Sequence, residues 1–125
     1  MAVSLPKGSQ GEVYDCPIGV SVLDFVYVSG PNEVDKAIAN DSVKKFAIGI
    51  VVEKLSTTVA RVQTTGKITG FSGLTENLPV FLSDSVLGGI TQTPVTGSGK
   101  WLQILGMATD AADLSLQVNP PIGRT

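Results

Sequence analysis

A chain of 125 residues with 9 basic and 11 acidic side chains, no histidine and one cysteine is long enough for one domain whose core needs no cross-links. Without histidine the commonest metal ligand and neutral-pH base are missing, and one thiol closes no internal disulfide, which excludes zinc sites and Ser-His or Cys-His catalysis. A formal charge of −2 with only Lys44 and Lys45 adjacent argues against nucleic acid as a partner, and 16% charged beside 42% apolar residues suits strands and polar turns better than exposed helices.

The opening Met1-Ala2-Val3-Ser4-Leu5-Pro6-Lys7 has no basic segment leading into an apolar run, and nowhere do about 18 apolar residues follow one another, so the expectation is synthesis in the cytoplasm with no membrane span. Residues 1–10, broken by Pro6, read as an extended arm. Cys16 precedes Pro17 with no base or second thiol nearby, which fits a structural residue and not a nucleophile. Val26-Tyr27-Val28-Ser29 is a strand ended by the turn Ser29-Gly30-Pro31-Asn32. Beyond it Val34, Ala37 and Ile38 have helical spacing after a cap at Asn32, yet a short strand or irregular segment is preferred, with one helical turn as the alternative. Asn40-Asp41-Ser42 matches the N-glycosylation pattern, an accidental match in a chain with no secretory signal. The β-branched apolar run from Phe46 to Val52 predicts a central strand, and Val59-Ala60-Arg61-Val62 a further one after the turn at Ser56-Thr57-Thr58.

The second half faintly echoes the first, a pattern that fits either duplication or the chance resemblance of strands and turns built from Val, Gly and Ser. Val80-Phe81-Leu82-Ser83 follows Val26-Tyr27-Val28-Ser29 at an offset of 54 positions, and Gly73-Leu74-Thr75 follows Gly19-Val20-Ser21 at the same offset. Ile104-Leu105-Gly106-Met107-Ala108 echoes Ala47-Ile48-Gly49-Ile50-Val51 at an offset of 57, and Leu114, Leu116 and Val118 alternate with polar residues in a closing strand. The counterpart of the helix-like stretch is Gly88-Gly89-Ile90-Thr91-Gln92-Thr93-Pro94, which disfavours helix in both places. The expected fold is therefore all-β: a single-domain β-sandwich or β-barrel, jelly-roll-like, of about eight strands. Pseudo-repeats at 11–63 and 64–118 lie between the arm 1–10 and a tail 119–125 that contains Pro120 and Pro121.

No constellation of catalytic residues stands out. Thr96-Gly97-Ser98-Gly99-Lys100 resembles the end of a phosphate-binding loop, but Pro94 and Trp101 stand where its first glycine and its magnesium-binding hydroxyl belong, so a solvent-exposed hairpin loop is expected. Asp110 and Asp113 are too few oxygen ligands for a calcium loop and suit a turn. Asp15, Asp24 and Glu76 give no identifiable acid pair, and Phe71 and Trp101 are equally suited to core or interface. No catalytic, cofactor-binding or metal-ligating residue is assigned.

The segments Asp24-Phe25-Val26-Tyr27-Val28-Ser29-Gly30, Ala47-Ile48-Gly49-Ile50-Val51, Thr65-Gly66-Lys67-Ile68-Thr69-Gly70-Phe71-Ser72-Gly73-Leu74, Pro79-Val80-Phe81-Leu82-Ser83, Gly88-Gly89-Ile90-Thr91-Gln92-Thr93-Pro94 and Leu102-Gln103-Ile104-Leu105-Gly106-Met107-Ala108 resemble, in cadence, small structural proteins of tailed bacteriophages. The pattern recurs in head decoration, cement and fibre proteins, and the resemblance covers residues 24–118. It implies a β-sandwich or barrel that forms a homo-oligomer, a dimer or trimer, and binds the major capsid protein on the exterior of the assembled virion, without cofactor, nucleic acid or membrane. The expected contacts are Leu5, Pro6 and Lys7 of the arm, Trp101, and Pro120, Pro121 and Ile122 of the tail. A tail, fibre or baseplate module is the second expectation, and a small-ligand β-barrel a remote third.

Overall fold

A computed structural model describes residues 11–123, and every regular element among them is a strand. The first half contributes β1 (Glu12–Asp15), β2 (Phe25–Gly30), β3 (Glu33–Lys36), β4 (Gly49–Ser56) and β5 (Val59–Gln63), which close into a barrel in the order β1-β3-β2-β4-β5. The second half contributes β6 (Thr65–Thr69), β7 (Pro79–Leu82), β8 (Ile90–Thr91), β10 (Ile104–Ala108) and β11 (Asp113–Gln117), an open sheet in the order β6-β11-β10-β7-β8. Between β8 and β10 lies β9 (Trp101–Leu102), which pairs with β12 (Ile122–Gly123) in a separate ribbon.

Alternation of side chains assigns each strand its two faces. In β11, Leu114 and Leu116 are buried while Ser115 and Gln117 face solvent. β2 and β4 are buried on both sides. Val26 and Val51 point into the barrel beside Val34, Ala60, Val62 and Cys16, whereas Phe25 and Ile50 point the other way, onto Leu82, Leu105, Leu114 and Leu116 of the open sheet. The narrow barrel is filled by valine and alanine, the size its diameter admits. The larger residues form the core shared by both halves. Each fully buried Phe, Leu or Ile there is stabilised by about 1.5–3 kcal/mol relative to exposure, so the halves hold one another as a single body.

The two sheets correspond residue by residue. Replacing β1, β2, β3, β4 and β5 by β6, β7, β8, β10 and β11 turns one strand order into the other, apart from the closing contact. The register agrees as well: Val26 pairs with Gly49 as Val80 does with Gly106, and Tyr14 pairs with Ala60 as Ile68 does with Leu114. Irregular bonds agree too. Leu23 N–H donates to Val51 O at 2.8 Å and Asn77 N–H to Ala108 O at 2.7 Å, while Cys16 N–H donates to Thr58 O at 2.9 Å and Gly70 N–H to Ala112 O at 3.1 Å. Leu23 and Asn77, 54 positions apart, both have left-handed backbones, with φ of 75° and 66°.

One difference separates the halves. In the barrel a single parallel pair, Asp15 with Glu33, joins β1 to β3, and Asp15 N–H donates to Asn32 O at 2.9 Å. Among the described residues, β6 pairs with β11 alone, and the second sheet stays open.

Three expectations need correction. Among the described residues twelve short strands replace the eight expected, because each half has a fifth strand, β3 and β8, and the second half and tail add the two-residue β9 and β12, which have no local alternation to announce them. The central strand starts at Gly49 and not at Phe46, which is 48% exposed in the segment before it. The tail 119–125 is not a free arm over its described part. Asn119 N–H donates to Ile104 O at 3.0 Å, and Ile122 and Gly123 pair with Leu102 and Trp101, so main-chain hydrogen bonds dock on its own chain the segment its prolines marked as an extended arm. The segment after Asn32 is the short strand preferred from the sequence, continued irregularly through Ala39.

Candidate functional site

The docked tail brings four of the expected contact residues together. Gln103, completely buried between β9 and β10, anchors the arrangement: its side-chain oxygen accepts from Ala47 N–H at 3.0 Å, and its nitrogen donates to Ala47 O and Asn119 O, both at 2.8 Å. A buried amide with its partners in place fixes the backbone on either side of it. Trp101 N–H donates to Ala39 O at 2.8 Å, which ties the ribbon to the first half. Ile122, 60% exposed, lies in register with Leu102, and Pro120 and Pro121 lead into β12 beside it.

Trp101 is half-buried, and its ring carries the Lys45 ammonium at 5.0 Å from the centroid. That distance suits a cation–π contact. Lys45 also donates to Ser42 O at 2.8 Å. Its chain neighbours Val43, 71% exposed, and Phe46 line a hollow of about 220 Å³ with Tyr27, Val28 and Ile48. An aromatic ring under a cation beside exposed Val28, Val43 and Phe46 makes an apolar surface with a charged border, the composition of a protein-binding patch. The turn that presents it is fixed by Asp41, whose carboxylate accepts from the N–H groups of Val43 at 2.8 Å and Lys44 at 3.1 Å. Those bonds, Val43 first, hold the Asp41 carboxyl below its ordinary range.

The other residues marked in the sequence sit elsewhere. Leu5, Pro6 and Lys7 fall outside the described residues. Thr96, Gly97, Ser98 and Gly99 are exposed as expected of a loop, and Lys100 is bound to Asp84 at 2.8 Å, a contact that keeps the Asp84 carboxyl below its ordinary value. Asp113 takes a hydrogen bond from Thr69 and lies 3.4 Å from Lys67, while Asp110 caps the turn through Ala111 N–H. Asp24 accepts from Ser21 N–H at 2.8 Å, Asp15 ends β1 and Glu76 is exposed in the turn before β7, so each acid has its own setting. Cys16 is buried, 3.4 Å from the Lys54 ammonium, which also donates to Val20 O and Thr57 O. Phe71 packs against the larger core.

Sequence reasoning missed Lys45 as the neighbour of Trp101 and Val43 and Phe46 as an exposed apolar pair beside it in the chain. The available signal was Asn40-Asp41-Ser42, a turn-forming run that lifts the following apolar residues out of the strand. Comparisons with protein-family models, curated proteins and solved structures return no match.

Proposed function

We propose that this protein is a structural component of a tailed-bacteriophage virion that binds the outer surface of the assembled capsid as a homo-oligomer and cements neighbouring major capsid proteins. The observation that carries the reading is the exposed apolar surface of Val28, Val43 and Phe46, bordered by the Lys45 ammonium that lies over the Trp101 ring, with the ribbon that carries Trp101 fixed by Gln103 and the docked tail. Its support on the sequence side is the cadence shared with phage head proteins. A pre-ordered aromatic and aliphatic surface binds with little loss of side-chain freedom, and a repeating lattice multiplies a modest contact into firm attachment through effective concentration. The correspondence of the two sheets supports, in addition, descent of the halves from one duplicated unit.

The test adds purified protein to capsids that lack it and measures occupancy. Trp101→Ala and Ile122→Asp should each reduce occupancy at least about tenfold, since removing an interface anchor costs on the order of 2 kcal/mol. Far-ultraviolet circular dichroism checks that both variants keep their strands. Unchanged occupancy in both variants would remove the patch from the contact. Attachment of the wild type to tails or fibres and not to heads would select the tail-module reading.

A further inference from the structure

The turn that supplies Val43 and Phe46, two walls of the hollow of about 220 Å³, carries the basic pair Lys44-Lys45 between them. Elsewhere Lys36, Arg61, Lys67 and Lys100 each have a carboxylate at 2.8–3.8 Å, and Lys54 donates to Val20 O, Thr57 O and Cys16 Sγ. Among the described residues, Lys44 and Lys45 alone have neither an ion pair nor such a set of acceptors. Asp41, the acid nearest them in the chain, turns Oδ1 to the N–H groups of Val43 and Lys44. Lys45 is held by the Trp101 ring and Ser42 O, which orient an ammonium without neutralising it. One of its N–H donors goes to Ser42 O, so donors remain for an incoming oxygen.

We infer that this hollow receives an acidic segment of the partner protein, with an apolar side chain seated against Val28, Val43 and Phe46 and carboxylates on Lys44 and Lys45. Apolar burial supplies affinity, and the charges choose the partner. The inference rests on the proposed role of this patch as a contact surface and names the chemistry that its partner must show there.

Charge selects this occupant over the two that the chain itself could offer. Residues 1–10 contain Lys7 and no acid, so they would add a positive charge beside two others. A second copy presenting the same patch across a two-fold axis would set its own Lys44 and Lys45 against these, and like charges brought together cost binding energy. An acidic segment meets neither objection. Its carboxylates gain charge-assisted hydrogen bonds from ammonium groups that are half-buried, where salt screens a pair less than it does in open solvent.

The test uses the full-length protein and a capped peptide, Glu-Glu-Leu-Phe-Glu-Glu, beside counterparts with glutamine or lysine in place of glutamate. Trp101 is the chain's one tryptophan, so its fluorescence reports on Lys45 directly. The acidic peptide should shift that emission and the amide signals of Val43 to Phe46 saturably, bind about tenfold more tightly than the glutamine peptide, and weaken as salt rises. Lys44→Glu, Lys45→Glu, with its circular dichroism unchanged, should bind the lysine peptide instead and lose occupancy on capsids. Lys44→Gln, Lys45→Gln should bind the acidic and glutamine peptides alike. Equal affinity of the wild type for those two peptides, or no saturable shift with any, would overturn the inference whatever the capsid assay shows. Binding that appears only in Val3→Asp, Leu5→Asp would overturn it in favour of the chain's own residues 1–10. A wild-type dimer that dissociates in Lys44→Glu, Lys45→Glu would overturn it in favour of a second copy. Acidic preference in the peptide assay, with full capsid occupancy by the charge-reversed variant, would uphold the inference and take the patch out of the capsid contact.

Discussion

Gln103 illustrates how one side chain governs distant backbone. It is fully buried, and it alone satisfies both polar groups of Ala47 along with the carbonyl of Asn119. Gln103→Leu leaves those groups unpaired at roughly the same volume, so a loss of about 3 kcal/mol is expected in urea unfolding, with faster proteolysis at the tail. Gly49 and Gly106 hold matching positions and are closed to side chains for the same reason: a Cβ would lie 2.4 Å from Gln63 O in one and 2.1 Å from Ser115 O in the other. Alanine at either should cost on the order of 3 kcal/mol, whereas Gly19→Ala, with no atom within 4 Å, should leave the melting temperature unchanged. Acid stability follows from Asp41, Asp84 and Asp113, all held below the ordinary carboxyl value of 3.8, by Val43 N–H, Lys100 and Thr69 respectively as the largest causes. A depressed carboxylate stabilises the fold above its unfolded pKa and ceases to as pH falls through its folded one. Stability should thus be flat from pH 5 to 8, where no histidine titrates, and decline below about pH 4; Asp84→Asn should make that decline shallower.

At the level of elements, the strands that were legible are those whose burial alternates within a few residues or is complete. β2, β4, β7, β10 and β11 were visible because Val, Ile and Leu mark their faces, and the offset between Val26-Tyr27-Val28-Ser29 and Val80-Phe81-Leu82-Ser83 reappears as shared register. β9 and β12 were not, since two-residue strands carry no period and the pairing of Trp101 with Gly123 joins residues 22 positions apart. Trp101 and Ile122 were singled out separately in the sequence. That one ribbon carries both, Trp101 opposite Gly123 and Ile122 opposite Leu102, goes with Gln103, whose reach to Ala47 spans 56 positions and leaves no local trace. The docked tail changes what truncation does. Removing residues 119–125 strips β12 and a partner of Gln103, so the melting temperature should fall by about 5 °C or more. Removing residues 1–10 should leave the circular dichroism spectrum intact, since β1 begins at Glu12.

Across the whole molecule, two matched sheets share one core, and among the described residues two hollows open on the surface, one bordered by Val43 and Phe46 and one beside β6. A binding module needs no more than a rigid frame that presents an apolar surface to its partner. The measurement that tests the proposed role most directly is an electron cryomicroscopy reconstruction of capsids before and after addition of the purified protein. The account predicts new density on the capsid exterior, repeated with the lattice, with Trp101 and Ile122 against the major capsid protein, and particles that rupture at a higher temperature when it is present. Identical reconstructions at saturating protein, with no change in rupture temperature, would contradict it.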